Sequence, residues 1–346
     1  MDTEETPARS LQSGATPRWV NVLFTGLVTY VVTGTVCMVT GLGGPLITRY
    51  VGLLSDAPAA LATVIIVAAA ARYVPGGALR TAWIALATAL ALYLVGTVIG
   101  VSSWLQEHDP FPGPADIFYI AFFPALAVAA TSLIRARAVR VAWIQLSLDA
   151  TIFVVGFGAF FWFLVIRPAV AHVEVDFIKQ ALSLAYLGLD GAMLLMLGVL
   201  VITGAGSGGR RVPLLLLSGF AAMFLADILW SLAKVRGYYL PGGFQDVLYL
   251  VWYVPVAAAG REQLRCISAP EVVTSSRSDA LARSLPYAAL LAAFLVLVYF
   301  ARGDVGGPAT VMTMIVFALT LLFMVRQGIA LRGDALLRER RAARLV

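Results

Sequence analysis

Three carboxylates fall inside long apolar runs, and they are the residues of this chain best placed to do chemistry. Asp190 lies mid-run in Tyr186-Leu187-Gly188-Leu189-Asp190. Asp227 stands beside Trp230 and Ser231, and Asp149 comes early in the run that starts at 143. An ionisable group inside a membrane is costly, so such residues are functional candidates by default. Asp190 and Asp227 fall at similar depth in neighbouring antiparallel runs, about three turns apart at most for a rise of ~1.5 Å per residue. They could share a polar cavity with Tyr119, Tyr186, Tyr249 and Trp252. The same carboxyls could instead be protonated, or bonded to a neighbouring Ser, Tyr or Trp as interhelical glue. No Lys or Arg sits mid-run to partner either acid in a proton relay.

A second pair of acids belongs to a repeated phrase. Pro112-Gly113-Pro114-Ala115-Asp116-Ile117-Phe118-Tyr119 runs on to Phe122-Phe123-Pro124. Pro241-Gly242-Gly243-Phe244-Gln245-Asp246-Val247-Leu248-Tyr249 runs on to Trp252-Tyr253-Val254-Pro255. Pro-Gly breaks the preceding helix. Asp116 and Asp246 then stand where a carboxylate caps free N–H groups and meets the positive end of the helix dipole. The aromatics suit an interfacial belt, and Pro124 and Pro255 can kink their helices. Cap, belt and kink make a structural reading. A pair of equivalent aromatic-acidic pockets makes a functional one.

Other chemistries lack their residues. His108 and His172 have acidic neighbours, but His172-x-Glu174-x-Asp176 is not a metal-ligand frame, so no metal is expected. The two lysines, Lys179 and Lys234, sit at run ends, where a retinal Schiff base would not form. There is no His-Glu-x-x-His, and Gly204-x-Gly206-x-Gly208-Gly209 follows no strand. The two cysteines, Cys37 and Cys266, sit in unlike surroundings and set no disulfide frame. The expectation is no enzyme and no cofactor.

The elements that must position these residues follow from composition. Of 346 residues, 60% are hydrophobic and 13% charged. An ordinary soluble domain is about 25% charged, so that class is excluded. Ten apolar runs have bilayer-crossing length: 19–42, 55–72, 80–104, 115–134, 143–166, 179–202, 212–234, 243–260, 284–301 and 309–331. They lack the alternation of barrel strands, so the expected fold is an all-α polytopic bundle of ten spans. Residues 1–18 form an N-terminal tail, 19–331 the transmembrane domain and 332–346 a charged exit helix. The repeated phrase suggests a parallel duplication, spans 3–6 matching spans 7–10.

Loop charge sets direction. Seventeen basic residues fall in the even-numbered loops and the C-terminal tail, against six in the opposite loops. The positive-inside rule puts both termini in the cytoplasm, with the two Asp-x-x-Tyr phrases at the outer face. The net charge of +6 is accounted for by this bias, and no stacking surface accompanies it, so nucleic acid is not an expected partner. After the last span, Leu331, Leu336, Leu337 and Leu345 punctuate a charged stretch that could pair with a second copy or lie on anionic lipid.

The start Pro-Gly-Pro-Ala-Asp116-Ile-Phe-Tyr119, Leu148-Asp149-Ala150, Leu285-Pro286-Tyr287 and the exit through Gln327 form a further set. Together they resemble the multi-pass N-terminal region of actinobacterial membrane-bound cyclic-di-GMP signalling proteins. In that family the region precedes GGDEF and often EAL domains and is regarded as a sensor. The resemblance implies input and dimerisation in a bacterial plasma membrane, with a cytoplasmic output domain or protein as partner. The sequence has neither a GGDEF nor an EAL run, so cyclase and phosphodiesterase activity do not carry over. The expected function is a sensory module that binds a small or lipidic ligand in the outer half of the bundle and relays through its C-terminal helix. The expected pocket residues are Asp190, Asp227, Tyr119, Tyr186, Tyr249 and Trp252. A small-molecule or proton-coupled transporter is the alternative.

Overall fold

The computed structural model describes residues 16–106, 111–136, 148, 151–152, 155–156, 177–203, 211–235, 239–267 and 315–326. Among these residues the secondary structure is helical, with no strand. The chain divides into two compact units, residues 1–139 with 174–277, and 140–173 with 278–346. In the second unit, Ile152 and Leu319 are buried against each other, flanked by Val155, Ile315 and Val316. Asp149, both histidines, the run at 284–301, most of the run at 143–166 and the tail from Gln327 onward lie outside the described residues.

The first unit holds α1 (Arg18–Thr40), α2 (Gly44–Leu54), α3 (Asp56–Tyr73), α4 (Ala78–Leu105), α5 (Pro114–Ala136), α6 (Phe177–Thr203), α7 (Arg211–Val235), α8 (Phe244–Val251) and α9 (Tyr253–Cys266). Five stretches are long and apolar enough to cross a membrane: Arg18–Thr40, Gly44–Tyr73, Ala78–Leu105, Pro114–Ala136 and Arg211–Ser231. This is a multi-helix, membrane-compatible architecture, with five qualifying spans among the described residues rather than the ten expected. The run 284–301 falls outside those residues, only five residues of 143–166 are described, and only Ile315–Arg326 of the run 309–331 is described. In α6 the clearly apolar stretch is shorter, Ala185–Gly198. The run at 243–260 is not one helix but two.

Proline explains the breaks. Pro255 offers no N–H to the Val251 carbonyl four residues back, and α8 ends at Val251. Pro58 stands in the same relation to Leu54, where α2 ends. Between the runs 19–42 and 55–72, Gly44–Leu54 is therefore helix α2, running into α3 through Ser55. Pro124 does not interrupt α5.

α4 and α5 form a hairpin, α3 packs on α4, and α6 packs on α7. α9 lies against both α3 and α7, and α5 touches α6. The core between them is aromatic. Tyr93 meets Phe122 at 5.6 Å and Trp252 at 5.4 Å between ring centroids, and Phe220 meets Trp252 at 5.6 Å. On α1, α2 and the turn between them, by contrast, Val22, Val32, Val39, Leu42 and Leu46 are exposed. A surface of large aliphatics around a buried aromatic core suits a hydrocarbon surround.

Candidate functional site

A cavity of about 220 Å³ opens at one end of the first unit, where α2, α4 and α7 end and α5 and α8 begin. Each entering helix brings an aspartate at its third position. The Asp116 carboxylate accepts the Gly113 N–H at 2.6 Å. Asp246 accepts the Gly242 N–H at 2.6 Å and the Gly243 N–H at 3.2 Å. In each case the side chain reaches back to a donor that the helix itself cannot satisfy. Both also take a tyrosine: Tyr186 donates to Asp116 at 2.6 Å, and Tyr239 donates to Asp246 at 3.3 Å.

Three residues beyond each aspartate, a tyrosine faces the preceding helix. Tyr249 donates to Asp227 at 2.5 Å, and Tyr119 adjoins Thr97. Thr97 in turn donates to Asp56 at 3.1 Å, and Asp190 lies beside Asp227. Thr97, Asp116 and Tyr119 thus have the same sequence spacing as Asp227, Asp246 and Tyr249. Asp56 on α3 and Asp190 on α6 stand one helix further back in each set.

The internal correspondence is therefore α3–α4–α5 with α6–α7–α8/α9. The repeat read from the sequence matches spans 3–6 with spans 7–10; the contacts at the cavity match α4/α5 with α7/α8 and α3 with α6. The sequence match pairs span 6 with span 10, whereas here α6 takes the place equivalent to α3. Short phrases locate the matching helix starts. They carry no information about which neighbour packs against each start.

The halves also clasp each other. Tyr186 of α6 reaches the Asp116 turn of the first half. Gly52 of α2 lies against the Asp246 turn of the second, where a Cβ at Gly52 would stand 2.2 Å from the Gly242 nitrogen. Gly242 itself has φ +91°, a left-handed conformation that glycine adopts without strain. Gly96 lets Tyr119 lie flat on α4, since a Cβ there would meet the ring at 2.7 Å.

Of the residues expected from the sequence, Tyr119, Tyr186, Asp227 and Tyr249 line the cavity, together with Asp116 and Asp246. Asp190 does not. It is 5% exposed and sits behind Asp227, with Oδ2 lacking a hydrogen-bond partner. Trp252 is also absent from the wall. Two turns past Asp246, it is fully buried in the aromatic layer beneath the cavity, 4.5 Å from the Tyr253 ring.

The sequence reading missed Asp56, Tyr93, Thr97, Tyr239 and the mouth residues Trp104 and Phe111, all of which line the cavity. Asp56 carried a usable signal, an acid opening an otherwise apolar run beside Pro58. The Thr97 hydroxyl looks like ordinary helix decoration until Tyr119 is placed beside it. Phe111, Trp230 and Tyr239 form a chain of ring contacts at the mouth, with centroids 5.4 Å and 6.3 Å apart. Comparison with protein-family models, curated proteins and solved structures finds no match.

Proposed function

We propose that this chain is the sensory module of a bacterial plasma-membrane signalling system, with the cavity as its ligand site. The observation that carries the reading is the cavity itself. It is a concavity walled by buried and half-buried aspartates and tyrosines from α3–α5 on one side and α6–α8 on the other. Ligand sites of helical bundles are typically built between facing helices with a few convergent polar groups. The Arg-rich segments, with Arg72, Arg80, Arg135, Arg211, Arg261 and Arg265, lie at the other ends of these helices. Under the positive-inside rule that end is cytoplasmic and the cavity opens outward. Both chain termini then lie in the cytoplasm, and the charged stretch after the last helix carries the signal to an output partner or a second copy. The resemblance to cyclic-di-GMP signalling regions supports this reading.

A ligand shifts such a bundle only by its differential affinity for two arrangements. The discontinuity at Trp252, between α8 at the cavity and α9 at the Arg-rich end, is the element suited to have two. That same broken helix, with the parallel repeat, favours transport as the second reading. The full chain in proteoliposomes, with a fluorophore near its C-terminus, separates the two. A sensor gives a saturable fluorescence change with outside ligand and no uptake. Ligand flux across the bilayer overturns the sensor reading in favour of transport.

A further inference from the structure

Resting on the reading that this cavity binds a small molecule, we infer that its ligand is an organic cation, an ammonium group carried on a small organic body. Four carboxyl groups, those of Asp56, Asp116, Asp227 and Asp246, line the cavity, and no Lys, Arg or His among the described residues joins them. Asp116 and Asp246 have their oxygens engaged by backbone N–H groups and tyrosines. Asp56 differs. Its Oδ2 accepts from Thr97 and the Tyr253 hydroxyl lies beside it, both neutral groups, and no cation accompanies it among the described cavity residues. A buried carboxylate without a countercharge is expensive, and a cation held in the cavity would supply that charge. An anionic ligand would meet four acids in the wall and, among the described residues, no base nearer than Arg49 against Trp104.

The remaining wall is suited to the same guest. Tyr93, Trp104, Phe111, Tyr119, Trp230 and Tyr249 offer aromatic rings around the space. Ring faces attract cations, most strongly where water is excluded. The protein uses this attraction at the rim, where the Arg49 guanidinium lies 4.6 Å from the centre of the Trp104 ring. A divalent metal fits poorly. It would need several converging, uncommitted oxygens, and among the described residues no group of three or more His, Cys, Asp or Glu converges as a metal site. A cavity of 220 Å³ far exceeds the ~10–15 Å³ that holds one water, and has room for a trimethylammonium head and a short substituent.

The same ammonium chemistry is found on soluble amines and on lipid headgroups, and the test separates them. The full chain is placed in nanodiscs of phosphatidylglycerol alone. Choline and benzyltrimethylammonium are titrated by calorimetry against 3,3-dimethylbutan-1-ol, the uncharged isostere of choline. At least one cation is expected to bind at least tenfold more tightly than the alcohol. Asp56→Asn is expected to lower that affinity at least tenfold with an unchanged melting temperature. Should Asp56→Asn fail to fold, Trp230→Leu provides the second variant and is also expected to weaken the cations more than the alcohol. Doping the discs with phosphatidylcholine tests the source: loss of choline binding identifies a headgroup site, and unchanged binding a soluble ligand. Equal binding of cation and alcohol overturns the inference but leaves the cavity as a small-molecule site. Absence of cation binding overturns it outright, while the proteoliposome measurement judges the sensor reading independently.

Discussion

The Tyr249 hydroxyl donates to Asp227 at 2.5 Å in a half-buried setting, and Asp227 carries Asp190 behind it. Removing the hydroxyl strips a donor from a half-buried carboxyl in the cavity wall. Tyr249→Phe should therefore cost about 0.5–1.5 kcal/mol, the range for an ordinary hydrogen bond. Thermal unfolding in detergent checks this, with Tyr186→Phe as the matched test at Asp116. A second residue-scale prediction concerns Cys266, beyond the apolar part of α9. Burial raises its thiol pKa, and the Glu262 carboxylate adds to the rise, while Arg211 and Arg265 oppose it. The thiolate is the reactive form, so it accumulates only at higher pH than for a free cysteine. In a Cys37→Ala background, the maleimide rate at Cys266 should climb with pH along a curve displaced to the alkaline side of a free-cysteine standard. A curve displaced to the acidic side would contradict the assigned environment.

At the scale of elements, the clasp between α2 and the Asp246 turn depends on the absence of a side chain. Gly52→Ala would drive a Cβ into the Gly242 backbone, which cannot move aside as a side chain can. Overpacking of this kind costs about 1–3 kcal/mol, and it should also loosen the Tyr239–Asp246 contact. Gly26 in α1 is the control: nothing lies within 4 Å of its would-be Cβ, so Gly26→Ala should be neutral or stabilise by about 0.5–1 kcal/mol. Equal melting temperatures for the two variants would show that α2 does not seat on the turn as described. The Arg211–Glu262–Arg265 group links the start of α7 to the end of α9 at 3.5 Å contacts. The Arg211 side chain is 83% exposed, so Glu262→Gln should change stability by no more than about 1 kcal/mol.

These elements also show how far the sequence could be read. Helix positions were legible because apolar length is a one-dimensional signal: the runs 80–104 and 115–134 became Ala78–Leu105 and Pro114–Ala136. The paired starts at Asp116 and Asp246 were legible because Pro-Gly and a third-position acid act locally. Asp56 and Thr97 were not, because their roles arise from α3 lying against α4, and Trp252 was misplaced for a related reason. Its sequence position beside Tyr249 says nothing of the Pro255 break that sets it within the aromatic layer. Asp190 and Asp227 could be paired from depth alone. Which of them faces the cavity depends on helix rotation, and that is set by packing partners distant in the chain.

At the scale of the whole molecule, the account joins an aromatic and acidic cavity at one end of a helical repeat to an Arg-rich opposite end. Its central claim is that the cavity faces out of the cell and receives a ligand there. Ser103 lines the cavity near the end of α4, and a thiol replaces its hydroxyl with little change of shape. The decisive measurement labels Ser103→Cys in intact cells with a membrane-impermeant maleimide, in a background with Cys37 and Cys266 replaced by alanine. The account predicts labelling without permeabilisation, slowed by choline or benzyltrimethylammonium but not by 3,3-dimethylbutan-1-ol. Labelling that requires permeabilised cells would contradict the orientation, and labelling that no added small molecule slows would contradict the cavity as a ligand site.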